Sequence, residues 1–189
     1  MPEINQQFLL SLHDDYTKFP CFIETGTCWG ATIFNIEPYF NNIYTIEFSE
    51  RLYEITKNKY TGNKINFLLG DSSIVFETLL PTITEPAVFF LDGHWCHNGT
   101  GKSAKDCPLD EEITHINNLF KNEAIIIIDD YRLFGLDRTN EDGEDWTLIS
   151  KENLIKILSN RISKVYHLPS TEAIDDRLVI HINPISPIT

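Results

Sequence analysis

Short apolar runs alternate along the chain with segments whose apolar residues recur every three or four positions. "CFIETG" (21–26), "IYTIEF" (43–48), "INFLLGD" (65–71), "AVFFLDG" (87–93) and "AIIIIDDY" (124–131) read as strands. Each is rich in β-branched and aromatic residues and ends in polar or turn-forming ones. Between and after them, "WGATIFNIEPYF" (29–40), "SERLYEITKNKY" (49–60), "SSIVFETLL" (72–80), "PLDEEITHINNLF" (108–120) and "TLISKENLIKILSN" (147–160) read as helices. Ser49 is placed to cap its helix, Pro108 to open one and Pro81 to stop one. Residues 1–19 read as an N-terminal helical segment. "SKVYHL" (163–168) and "RLVIHI" (177–182) follow one another with no helix between them, which predicts an antiparallel hairpin.

Strands alternating with helices predict an α/β fold, Rossmann-like and doubly wound, with a mostly parallel seven-stranded sheet and a C-terminal antiparallel hairpin strand. "AIIII" and "AVFF" are apolar on both faces, as central parallel strands are. No repeat, low-complexity tract or linker divides residues 1–189, so a single domain is expected.

Composition narrows the partners. Hydrophobic residues make up 42% and aromatic ones 12%, which places the chain among globular proteins. Lys+Arg is 15 against Asp+Glu 28, a net charge of −13, so a nucleic acid partner is not expected. The first 19 residues are too polar for a secretion signal, and no apolar run reaches the ~20 residues of a membrane span. The expectation is a soluble, cytoplasmic protein without a membrane partner. Its four cysteines (21, 28, 96 and 107) are expected to be reduced, and the sequence leaves a homo-oligomer open.

The candidate chemistry lies where the predicted strands end, since open α/β sheets bind ligands at their carboxyl edge. Glu24 with Gly26 and Gly30, then Glu47, Asp71, Asp92 with His94, and Asp129 with Asp130 follow the five core strands in turn. Gly26 allows close backbone approach to a ligand. Glu47, about 20 residues further on, suits ribose hydroxyls, and Asp71 can accept from an adenine amino group. NAD would call for G-x-G-x-x-G, whereas the turn here has G-x-x-x-G with Cys28 at the middle glycine position. Glu24 would repel a pyrophosphate but attract the amino group and sulfonium of S-adenosylmethionine. Thr25, Thr27, Phe48 and Ser72 stand in the same turns and, with Asp92 after the fourth strand, join the expected cofactor site.

Taken in order, "FIETGTCWG", "YTIEFSE", "LLGDSS", "FFLDGH" and "IIIIDDY" resemble the S-adenosylmethionine-dependent class I methyltransferases. Within them the TylF/NovP-like (macrocin-type) sugar O-methyltransferases are the nearest resemblance, over about residues 20–182. The resemblance implies that Glu24, Gly26 and Gly30 hold the methionine end of the cofactor, Glu47 its ribose and Asp71 its adenine. It also implies a divalent ion, Mg²⁺ or Mn²⁺, on Asp92, Asp129 and Asp130. The family's general base, the second acid of its DGD motif, falls on His94, and histidine is a competent base near neutral pH. The expected catalytic residues are thus His94 and Asp92, and the expected reaction is O-methylation of a small-molecule or sugar hydroxyl. A catechol-type phenol acceptor and a non-catalytic nucleotide-binding domain are the alternatives.

Other motifs carry less. "GTGKS" (99–103) lacks the first glycine of a P-loop, has Cys96 there, and follows the wrong strand, so residues 93–107 are read as an active-site loop bearing Lys102 and Lys105. His94, Cys96, His97 and Cys107 have the donors for zinc, but close neighbours after one strand rarely converge tetrahedrally. Trp95 is read as a lid over the cofactor or a core residue, its place past the strand end favouring the lid, and His115 as structural or solvated. "NEDGED" (140–145) is expected to be an exposed acidic loop. Asp110, Glu111 and Glu112 open a helix, where negative charge is favourable without any further role.

Overall fold

The computed structural model describes residues 4–13, 15–94, 107–141 and 144–185. Five strands, β1 (Cys21–Thr25), β2 (Asn42–Glu47), β3 (Ile65–Leu69), β4 (Ala87–Leu91) and β5 (Ala124–Ile128), run parallel. A two-stranded ribbon follows, β6 (Asp137–Arg138) with β7 (Glu144–Asp145). β8 (Ile162–Leu168) and β9 (Arg177–Ile182) form the expected antiparallel hairpin. The sheet order is β3-β2-β1-β4-β5-β9-β8, so β9 lies antiparallel between β5 and β8.

Among the described residues six helices cover the sheet: α1 (Gln6–Leu12), α2 (Ala31–Ile36), α3 (Glu50–Lys57), α4 (Ser72–Leu79), α5 (Leu109–Leu119) and α6 (Lys151–Leu158). Because strand side chains alternate, one run of residues feeds two cores. Ile23, Phe89, Ile126 and Ile180 pack with Phe76 of α4, Ile113 of α5 and Leu154 of α6. Phe22, Val88, Ile125 and Val179 pack with Leu9 of α1 and Ile33 of α2. All five residues of β1, β4 and β5 are buried, as the double-sided apolar runs predict. Each large apolar side chain so buried contributes about 1.5–3 kcal/mol.

Caps set the helix boundaries. The Ser49 hydroxyl accepts from Leu52 N and that of Ser150 from Asn153 N. Ser150 is why α6 begins at Lys151, four residues later than the sequence pattern implies. The predicted 29–40 helix breaks after Ile36 into a 3₁₀ turn, Glu37–Tyr39, at Pro38, which has no N–H to donate. Pro81 lies inside a similar turn, Leu80–Thr82.

Arg161 is almost fully buried and donates to the carbonyls of Ile116, Asn117, Asn122 and Asn183, closing the C-terminal end of α5. Cys21 and Cys107 are buried and carry free thiols. Among the described residues no helix is long and apolar enough to cross a membrane.

Candidate functional site

Strand order reverses between β1 and β4, whose chain connections leave in opposite directions and open a crevice at the carboxyl edge. The turn after β1 lies at this crevice. Gly26 (φ +84) and Gly30 (φ +80) are left-handed, and so is Cys28 (φ 47). The amides of Gly26 and Thr27 both donate to the Ile46 carbonyl, at 2.9 and 3.3 Å. A Cβ on Gly26 would collide with the carbonyl of Asp92. One on Gly30 would meet Phe34 and Thr56 side chains at 2.6 and 2.7 Å.

Carboxylates line the turn. Glu47 accepts from Cys28 N and Ser49 N, both at 2.8 Å, and so binds the end of β2 to the turn after β1. Glu24 is buried and accepts from the Thr45 hydroxyl at 2.7 Å, while the Thr45 and Thr27 hydroxyls lie 2.6 Å apart. Burial pushes the Glu24 pKa well above the usual carboxylate range, and the charges of Asp92 and Glu47 add to the shift. Asp71 caps α4, accepting from the Ser73 amide at 3.0 Å and its hydroxyl at 2.6 Å. Exposed apolar side chains stand among these acids: Phe48 after β2, Trp29 in the first turn and Ile74 on α4.

A second group gathers after β4 and β5. His94 Nε2 lies 2.8 Å from Asp130 Oδ2 and 3.6 Å from Asp92 Oδ1, and its Nδ1 lies 3.8 Å from Glu144. Burial pulls the imidazole pKa down, but the Asp130 hydrogen bond and the charges of Asp92, Asp130 and Glu144 outweigh it and hold the pKa at about 10. His94 is therefore an imidazolium at neutral pH in this arrangement. Asp92 is raised by burial, against a downward pull from His94 and an upward push from Asp129 and Asp130. Asp130 is left-handed (φ 58); burial would raise it, but the hydrogen bond and charge of His94, with those of Arg132, bring it below the usual range.

Asp129 turns elsewhere. Its carboxylate accepts from Arg177 Nε at 3.3 Å, and both residues are buried. Burial raises the Asp129 pKa and Arg177 lowers it. The three acids expected on a metal thus fall into two groups. The donor atoms of Asp92, His94 and Asp130 lie within 4.8 Å of one another. Those of Asp129, Asp130 and Asp176 make another such set, with the guanidiniums of Arg132 and Arg177 already among them.

Two acids have a place that the sequence reading did not give them. Glu144, expected in an exposed loop, is buried: it lies in β7, paired with β6, and its carboxylate accepts from Trp146 Nε1 at 3.0 Å and faces His94. Glu112, expected only to favour a helix start, is 1% exposed and accepts from the Ser72 hydroxyl. A signal for Glu112 exists, since it falls on the helical stripe Leu109, Ile113, Ile116. His115 is partly buried, 4.0 Å from Glu77. Trp95, Cys96, His97, Lys102 and Lys105, with the readings of a lid, a zinc site and a closing loop, lie outside the described residues.

Solved structures share this architecture. TomG, an O-methyltransferase from Streptomyces achromogenes involved in tomaymycin synthesis and solved with SAM, superposes with a TM-score of 0.64 at 18% identity, over 95% of this chain and 80% of that one. A putative O-methyltransferase from Klebsiella pneumoniae gives 0.64 at 14%, over 94% and 79%. The N-methyltransferase NodS from Bradyrhizobium japonicum gives 0.57 at 14%, over 95% and 94%. No protein-family model and no curated protein matches the chain. At these identities the likeness establishes the fold: the chain has the Rossmann-like fold of class I methyltransferases.

Proposed function

We propose that the protein is an S-adenosylmethionine-dependent O-methyltransferase whose acceptor is a small-molecule hydroxyl, with a sugar as the first class to test. The observation that carries this reading is the crevice between β1 and β4, where Gly26 packs on the Asp92 backbone and Glu24, Glu47, Asp71 and Asp92 stand at or just beyond the carboxyl ends of the adjoining strands β1, β2, β3 and β4. A cationic, amino-bearing, ribose-containing ligand matches that charge. A pyrophosphate does not.

In this reading Gly26, Thr27 and Gly30 make room for the methionine end. Burial raises the Glu24 pKa, and the cofactor's ammonium would favour its carboxylate form. Glu47 keeps acceptor capacity for ribose hydroxyls, Asp71 meets the adenine amino group with Ser72 behind it, and Phe48 offers the ring an apolar face. The hydroxyl acceptor follows from the acid–base cluster at the methyl end. As the oxygen takes the methyl group, the carbon–sulfur bond breaks, a neutral thioether leaves and the hydroxyl proton must go to a base. Asp92 is that base, because its raised pKa keeps its proton affinity high. His94, held as an imidazolium, orients Asp92 and places positive charge beside the developing alkoxide. It takes the proton itself only where its carboxylate neighbours are neutralised. Half-buried Tyr131 and Phe134, with ring centroids 5.0 Å apart, offer apolar faces of the kind that sugar C–H groups pack against.

A divalent ion is part of the proposal in altered form. Asp92, His94 and Asp130 are close enough to hold one, and Asp129 is engaged by Arg177. The imidazole nitrogen suits Mn²⁺ better than Mg²⁺. When bound, such an ion would lower the pKa of an acceptor hydroxyl.

Calorimetry with S-adenosylmethionine, S-adenosylhomocysteine, NAD and ATP tests the cofactor. Transfer of a labelled methyl group to a panel of sugars and phenols tests the acceptor. Tight NAD binding with none of S-adenosylhomocysteine would overturn the reading.

A further inference from the structure

Glu112 sits in the first turn of α5, on the helix's buried stripe, where an apolar residue would complete the packing. Burying a carboxyl is costly unless it is well bonded. Its contacts say what it serves. One oxygen accepts from the hydroxyl of Ser72, the first residue of α4 and the neighbour of the cap Asp71. The same oxygen lies 3.3 Å from where a Cβ on Gly93 would stand, and the Thr25 hydroxyl lies 2.9 Å from that point. A single carboxyl therefore meets the start of α4 and the segment after β4, beside the end of β1. Burial pushes its pKa up to about 7. Nor does the helix N-terminus require it: Glu111 stands in the same first turn, as does Asp110, which accepts from Asn153 at 2.9 Å.

We propose that Glu112 is a positioning residue for the adenine end of the cofactor, acting through Ser72 to fix Asp71 against the ends of β1 and β4. The proposal rests on the S-adenosylmethionine reading. It predicts that loss of Glu112 affects recognition of one particular group, the adenine amino group that Asp71 accepts from, and not cofactor binding at large.

The experiment is calorimetry on the full chain with two ligands: S-adenosylhomocysteine, and its analogue bearing a carbonyl in place of the adenine amino group. The wild type should prefer the amino ligand. Glu112→Leu and Ser72→Ala should each weaken that ligand about tenfold, one hydrogen bond's worth, and leave the analogue within about twofold. The double variant should be no worse than either single one, because both break the same link. Glu112→Gln keeps an oxygen for the Ser72 hydroxyl and should retain most of the preference. An unchanged preference in Ser72→Ala and Glu112→Leu would overturn the proposal, as would equal loss of both ligands, which marks a merely structural residue. If Glu112→Leu does not fold, Ser72→Ala and Glu112→Gln still decide. A wild type that binds neither ligand removes the cofactor reading itself and this proposal with it, whereas a failure confined to the variants removes this proposal alone.

Discussion

Nε2 of His94 stands 2.8 Å from Oδ2 of Asp130, which links the segment leaving β4 to the turn leaving β5. Each supports the charge of the other: the imidazole holds the Asp130 pKa down, and the carboxylate holds the His94 pKa up. Asp92, next to this pair, has a raised pKa.

That arrangement sets a pH dependence. In the proposed reaction Asp92 acts as a carboxylate, so kcat/KM should climb as pH rises through its elevated pKa, later than an ordinary aspartate would allow. His94 pulls that pKa down. In His94→Asn the rising limb should therefore move to still higher pH, with affinity for S-adenosylhomocysteine nearly unchanged. A pH–rate profile of both proteins checks the sign; a shift towards acid would contradict it.

Gly26→Ala should be severe. The new methyl group meets the Asp92 carbonyl, and a left-handed φ of +84 strains any side chain. A cost of about 1–3 kcal/mol is expected from the backbone alone. Thermal unfolding and cofactor titration should show both a lower melting temperature and lost binding.

The Asp129–Arg177 pair is buried, so breaking it is costlier than replacing it. Arg177→Met leaves an uncompensated acid and should destabilise by about 3–5 kcal/mol, and adding Asp129→Asn should recover part of the loss. Chemical denaturation of the single and double variants measures this.

Glu112 reverses the usual stability trend for an acid. Its folded-state pKa is raised from 4.5 to about 7, so the folded state binds the proton more tightly than the unfolded one. Its contribution is complete below pH 4.5 and is lost as pH rises through 7. Relative to Glu112→Gln, the wild type should thus lose roughly 3 kcal/mol across that window, which denaturant titrations at several pH values would read.

Mn²⁺ should raise the melting temperature more than Mg²⁺ does, and Asp130→Asn should abolish the rise. Binding must displace a proton from His94, so the effect should grow with pH. A larger effect of Mg²⁺ than of Mn²⁺ would instead indicate an all-oxygen site.

Much of this molecule was legible in its sequence, for physical reasons. The apolar runs at 87–91 and 124–128 admit few arrangements other than a doubly covered sheet, and the acids after each strand mark its carboxyl edge. Side-chain pairing was not legible. Nothing near Asp129 in the chain announces that Arg177, 48 residues on, will claim it. Glu144 looked solvated because its neighbours are acidic, and only the β6–β7 ribbon turns it towards His94. The burial of Glu112 went unread because one rule, the helix dipole, already accounted for the residue, although its place on the apolar stripe was visible.

The position of β9 also dictates when the protein can mature. Residues 177–182 fill the slot between β5 and β8, so a nascent chain that has just made β5 carries a wholly apolar strand with one bare edge. It keeps that edge until synthesis has run through some fifty further residues, and Asp129 waits as long for its guanidinium. The stretch of biosynthesis between these two strands is thus the time at which the chain is most exposed to mispairing with its own kind, and when a holdase would matter most to it.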